Sequence, residues 1–262
     1  MKGRALLVDL DGVLYEGERA VAGGAAAIAW LQEREVPHLF LTSTTSRPRA
    51  SLVEKLAGLG VATTEQSILT PPVAADRWLA THAPGPAALF VPAATADEFE
   101  SVQPLPEDCE SGAASVIVGD LGEGWDFTVL NRAFRLLMAE PRPALVALGM
   151  TRYWRAADGL RLDVAPFVKG LEHASGAQAV VLGKPAPEFF HAALGILGCE
   201  PGDAVVIGDD VVGDVGGAQG AGLRGVLVRT GKFRPADLER EIRPDAVLTS
   251  IAELPDWWEA SG

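Results

Sequence analysis

Short apolar runs alternate with stretches of helical periodicity at both ends of this chain. Residues 5–8, 37–41, 67–69, 179–182, 204–207, 225–228 and 246–248 are apolar runs of the length of buried strands. Residues 23–35, 47–59, 187–197, 214–221 and 235–242 read as helices, the first with Ile28, Trp30 and Leu31 on an apolar face. This alternation predicts an α/β fold, a doubly wound, Rossmann-like parallel sheet with right-handed crossovers.

The middle of the chain has its own rhythm. Residues 87–91, 114–118 and 144–148 are strand-like, and 127–139 reads as a helix with Leu130, Phe134, Leu137 and Met138 at helical spacing. Residues 152–155 and 160–162 flank Asp158-Gly159, a hairpin signature. Thr70-Pro71-Pro72 reads as a boundary, and the acidic stretch 104–112 as a loop. These patterns predict a second α/β domain, residues 71–178, inserted into a core of residues 1–70 plus 179–262. One continuous larger sheet is the alternative.

At 262 residues the chain can hold a large core or a core plus a smaller domain. A formal charge of −13 argues against nucleic acid or an anionic membrane as a partner. It leaves an anionic substrate open, because a bound metal and a lysine can reverse the potential locally. No apolar stretch reaches membrane-spanning length and the N-terminus lacks a signal-peptide pattern. Cys109 and Cys199 are the two cysteines and lie far apart in sequence, which suits a reduced cytoplasmic protein.

Four segments carry candidate chemistry, each at the end of an expected strand. Asp9 and Asp11 follow the first apolar run and precede Gly12, at the sheet edge where open α/β folds bind ligands. Two close anions repel and lose hydration on burial, and a hard divalent cation such as Mg²⁺ answers both problems. A solvated turn is the plain alternative. A calcium loop fails, because Val13-Leu14-Tyr15 supplies no oxygen ligands. The stretch Thr42-Ser43-Thr44-Thr45-Ser46 offers hydroxyls and backbone N–H groups for phosphate oxygens, or a cap for the next helix. Lys184 is held between Gly183 and Pro185, placed to pair with a phosphoryl oxygen and a carboxylate. Asp209, Asp210 and Asp214 crowd one strand end, and a helix N-terminus accounts for Asp214 better than for Asp209.

Other signals carry less. The glycines at 216–222 do not follow a strand as GxGxxG, and Gly231-Lys232 lacks phosphate-loop spacing. His38, His82, His173 and His191 have no metal-ligand spacing. Trp257 and Trp258 read as cover for the core edge. Arg152, Tyr153 and Trp154 form either a hairpin packing cluster or contacts to a leaving group.

Taken in order, DLDGV, the Thr42 loop, GKP and GDDVVGD resemble the haloacid dehalogenase superfamily of phosphohydrolases, in the class (IIA) with a large α/β cap between the second and third motifs. From Arg152 onward the chain is similar to the subgroup containing phospholysine phosphohistidine inorganic pyrophosphate phosphatase and its hydrolase-domain-containing relative. The resemblance implies Asp9 as nucleophile, forming an aspartyl-phosphate, and Asp11 as general acid and then base. It implies Mg²⁺ on Asp9, the Asp11 carbonyl and Asp209, with Asp214 and Asp210 supporting. Thr42, the Ser43 backbone, Thr44 and Lys184 are implied as the phosphoryl-binding stretch and cation. One departure stands out: Ser43 and Thr44 occupy positions where related phosphatases carry Asn-Asn or Asn-Glu.

The expected function is therefore a Mg²⁺-dependent phosphatase acting on a small phosphorylated metabolite, with a phosphoramidate or pyrophosphate open, and a cap that closes over the site. A non-catalytic phosphate-binding or regulatory protein is the alternative. Phosphomutase and dehalogenase chemistry are disfavoured. An exposed cap edge strand could pair two subunits into a homodimer.

Overall fold

The computed structural model describes residues 4–156 and 158–261. The chain divides into two compact units. One comprises the described residues of Met1–Thr42, Arg49–Leu69 and Lys184–Gly262, the other those of Ser43–Pro48 and Thr70–Gly183.

The first unit is built on a six-stranded sheet, ordered Ala246–Leu248, Arg224–Val228, Ala204–Gly208, Ala5–Asp9, His38–Leu41, Ile68–Leu69. Every neighbouring pair is parallel. The central strands are buried along their whole length, as a sheet covered on both faces requires. Helix Gly24–Glu33 buries Ala27, Ile28 and Leu31, and these join Leu6, Val8, Phe40, Val205 and Ile207 in one core. Helix Pro187–Leu197 buries Phe189 and Phe190. Trp258 seals the edge of the core, with the Arg4 guanidinium stacked 4.2 Å from its ring.

The second unit has a five-stranded parallel sheet of its own, ordered Ala179–Val181, Ala144–Ala147, Ser115–Val118, Pro86–Phe90, Gln103–Pro104. Helices Phe127–Leu137 and Val164–Ser175 cover one face around Val116, Leu136, Val168 and Leu171. An antiparallel hairpin pairs Tyr153–Ala156 with Gly159–Leu162.

Three points differ from the sequence reading. Residues 179–182, expected in the core sheet, pair with Ala144–Ala147 in the second sheet, and Leu182 is buried there. A parallel apolar run carries no label for which of two parallel sheets it joins, so the expected edge at 178/179 moves to 183/184. Thr70-Pro71-Pro72, expected as a boundary, lies where the first unit gives way to the second, and it also begins helix Pro71–His82. Thr70 Oγ1 caps it by accepting from Val73 N, and Pro71 takes the first helical position, where no N–H is needed. Ser43–Pro48 groups with the second unit. There Thr45 Oγ1 accepts from Asp120 N at 3.1 Å and the Thr45 carbonyl accepts from Thr95 Oγ1 at 3.2 Å. Finally, the expected helix 235–242 is a single 3-10 segment, Pro235–Glu239.

Candidate active site

The register of the first sheet assembles the site. Val8 pairs with Ile207 and Asp9 with Leu41, so the ends of three adjacent parallel strands lie level. Asp9, Thr42 and Asp209 therefore sit at one sheet edge, all three buried. Lys184, the residue that re-enters the first unit, reaches in between. Its Nζ donates to Asp9 Oδ1 at 2.5 Å and to Asp214 Oδ1 at 2.7 Å. Asp214 arrives on the π-helical turn Val211–Gly216, and its second oxygen accepts from Asp210 N at 3.1 Å.

Asp9, Asp209 and Asp214 present carboxylate oxygens that all lie within 4.8 Å of one another. One ammonium among three buried carboxylates leaves excess negative charge, which adds to the larger effect of burial. Burial pushes Asp9 up to about 8, against the pull of Lys184. Burial lifts Asp209 to about 6, with Asp214 adding to it and the Lys232 backbone N–H opposing. Burial works against the charge of Lys184, but Asp214 and Asp9 outweigh it and hold the lysine above its ordinary range.

A cation fits this arrangement on a specific observation. Asp209 Oδ1 is buried and has no hydrogen-bond partner among the described residues. An anionic oxygen in that state is costly, and the donor set around it is hard oxygen. The site can hold a divalent cation.

Asp210 has a different task. Its Oδ1 accepts from Val212 N and Gly213 N, both at 2.9 Å, capping the π-helical turn that carries Asp214. Burial alone would raise its carboxyl, but those N–H groups and Lys232 hold it below the usual range. Asp11 lies two residues past the strand, exposed, outside the carboxylate cluster. Asp214 stands closer to the centre than a supporting role implies, although both its oxygens are already engaged.

Ser43 is exposed and Thr44 half-buried, both in the segment grouped with the second unit. Arg152, Tyr153 and Trp154 are exposed in that unit, on or beside its hairpin, with the Arg152 guanidinium 5.7 Å from the Tyr153 ring. None of the four histidines joins the carboxylate cluster.

A loop the motifs do not name completes the site. After strand Arg224–Val228, Thr230 Oγ1 donates to the Gly12 carbonyl at 2.5 Å. Gly231 N donates to Glu16 Oε1 at 2.7 Å, and Lys232 N to Asp209 Oδ2 at 2.6 Å. Gly12 and Gly231 both hold left-handed backbone, φ +87° and +62°, and a Cβ on either would overlap the Asp209 carboxylate. Gly231-Lys232 fails the phosphate-loop pattern, and its position just past a strand is the sequence signal for it.

Comparison with known proteins places the chain in a family. A haloacid dehalogenase-like hydrolase family model matches residues 6–103, and a second model, HAD-hydrolase-like, matches residues 181–254. The human phospholysine phosphohistidine inorganic pyrophosphate phosphatase is 40% identical over 258 residues, covering 97% of this chain and 93% of its own. Haloacid dehalogenase-like hydrolase domain-containing protein 2 of Bos taurus is 40% identical over 246 residues, covering 94% and 91%. Among solved structures, the p-nitrophenyl phosphatase from Archaeoglobus fulgidus aligns with a TM-score of 0.86 at 23% identity, covering 98% and 100% of the two chains. NagD from E. coli K-12 aligns at 0.84 and 22%, covering 97% and 98%; these two likenesses concern the fold. With relatives of this identity along nearly its whole length, and with buried aspartates and a lysine at the strand ends where the motifs place them, the chain belongs to the haloacid dehalogenase-like hydrolase family and is a phosphohydrolase.

Proposed function

We propose that this enzyme hydrolyses small phosphorylated metabolites in a Mg²⁺-dependent reaction, with Asp9 as the nucleophile and Asp11 as the acid–base residue. The observation that carries the reading is the buried Asp9 carboxylate, tied to Lys184, beside the unpartnered oxygen of Asp209. Asp9, the Asp11 carbonyl and Asp209 would hold the cation, which supplies charge neutralisation at the phosphoryl oxygens.

An Asp9 oxygen attacks phosphorus and the bond to the leaving group breaks, giving an aspartyl-phosphate. Asp11 gives its proton to the departing oxygen. In the second half Asp11 takes a proton from water, the water oxygen attacks phosphorus, and Asp9 is released with inorganic phosphate. The exposed position of Asp11 supports this role, since it must meet both the leaving group and water. Lys184 offsets charge developing on the phosphoryl group, and the Thr42 hydroxyl holds one of its oxygens.

Phosphorus–nitrogen bonds and inorganic pyrophosphate enter as substrate classes through the relatives' names. The same reading puts the enzyme in a reducing cytoplasm, with Cys109 and Cys199 not joined in a disulfide. It also takes the hairpin, with Tyr153, Trp154, Leu160 and Leu162 exposed, as the edge for a homodimer. No helix of the described residues is long and apolar enough to cross a membrane.

Hydrolysis of p-nitrophenyl phosphate tests the proposal. Activity should require Mg²⁺, and Asp9→Asn should lower kcat about a thousandfold or more. A wild type that binds phosphate without turnover would instead mark a phosphate-binding protein that has lost catalysis.

A further inference from the structure

We infer that the loop Thr230–Arg234 is a positioning element for the cation site, and that the Thr230 hydroxyl is its working contact. The inference rests on the reading of Asp209 as a cation ligand.

The geometry is specific. Lys232 N fixes one oxygen of Asp209 at 2.6 Å and leaves the other, Oδ1, buried and unpartnered. That loop amide therefore determines which oxygen of Asp209 is left without a protein partner. The loop is itself tied to the segment after the nucleophile. Thr230 Oγ1 donates to the Gly12 carbonyl and Gly231 N to Glu16, so the chain carrying Asp9 and Asp11 and the chain holding Asp209 are pinned to one short stretch. Gly12 N in turn donates to the Tyr15 carbonyl at 2.7 Å, so the Asp11–Glu16 turn is held from both sides.

Arg234 holds the loop from its other end. Its Nη1 donates to the carbonyls of Phe233 at 2.7 Å, Lys232 at 3.0 Å and Gly231 at 3.4 Å. Its backbone N–H donates to Asp237 Oδ2 at 2.7 Å. A loop bound through three carbonyls on one side and three donors on the other has little freedom to reorient. None of these residues touches the reacting atoms. They act through Asp209 and Gly12, as outer partners tune a metal site through its ligands.

The test compares the wild type with Thr230→Val, Thr230→Ser, Arg234→Ala and Asp209→Asn. Mg²⁺ binding is read by titration calorimetry without substrate, and p-nitrophenyl phosphate kinetics are read beside it. Thr230→Val, which keeps the shape and loses the donor, should weaken Mg²⁺ binding about tenfold, and Thr230→Ser should recover to within about threefold of wild type. KM at saturating Mg²⁺ should stay within about twofold, since the substrate contacts are untouched. Folded Thr230→Val protein with wild-type Mg²⁺ affinity overturns the inference. Should Thr230→Val fail to fold by circular dichroism, exposed Arg234→Ala is judged by the same criterion. Asp209→Asn separates the two levels. If it keeps wild-type affinity, the cation reading falls and the inference with it. If it loses affinity while Thr230→Val does not, only the positioning role falls.

Discussion

Two parallel sheets in this molecule are built by the same rules, and among the described residues only the first gathers buried carboxylates into a cluster. Both bury apolar strands, and acids follow strand ends in both. In the second unit those acids serve the backbone beside them. Asp120 Oδ1 accepts from Gly122 N, Asp126 Oδ1 from Val129 N, and Asp163 Oδ1 from Val164 N, each at 3.0 Å or less. In the first unit Asp9 and Asp209 cap nothing local. They face each other and Asp214 across the sheet edge. The fold supplies the edge, and chemistry begins where a buried charge has no local backbone task.

The sharpest way to break that contrast is to remove the one ammonium in the cluster. Lys184→Met leaves Asp9 and Asp214 buried without their cation. Urea melts of the metal-free protein should show a loss of about 3–5 kcal/mol, with phosphatase activity falling in parallel. An unchanged midpoint would mean the carboxylates are solvated and the cluster is not a buried one.

A smaller effect lies in pH. Asp209 is held near 6 in the folded chain, above its unfolded value. Below about pH 4 both states carry the proton and the group costs nothing; as pH rises through about 6 the folded state must ionise a buried carboxyl and loses up to about 3 kcal/mol. Asp9, raised to about 8, adds a loss of the same sign, so stability of the metal-free protein should drop between about pH 4 and pH 8, and Asp209→Asn should make that slope shallower below about pH 6 without abolishing it. Divalent cation should restore the loss, with binding that strengthens across the same window. A pH-independent midpoint for the metal-free wild type would contradict the burial assigned to Asp209.

The smallest effect belongs to the second unit. Asp126→Ala removes only a helix cap and should cost about 1 kcal/mol in a thermal melt. Turnover of p-nitrophenyl phosphate should not move. A large loss of turnover would show that this acid does more than cap its helix.

What the sequence made legible follows the same division. Asp9, Lys184 and Asp209 stand out because strand-end charges with no cap or turn pattern are hard to explain locally. Asp214 reads as a helix N-terminus, and its place at the centre depends on a π-helical turn that no periodicity announces. The Thr230–Lys232 loop is nearly silent, because two of its three site contacts are backbone N–H groups that any residue but proline supplies. In the second unit, helix Val164–Ser175 escapes because Pro166 and Gly170 interrupt its pattern, although Pro166 falls in the first turn where proline is tolerated. Strand 179–181 is recognisable as a strand, but its sheet is a tertiary choice between two equivalent apolar surfaces.

Where Gly12 and Gly231 meet around Asp209, the chain has no room left to evolve by adding bulk. A laboratory effort to change what binds at this cluster cannot recruit a new side chain from either glycine. It must exchange the aspartate itself and accept whatever the two fixed peptide segments then permit.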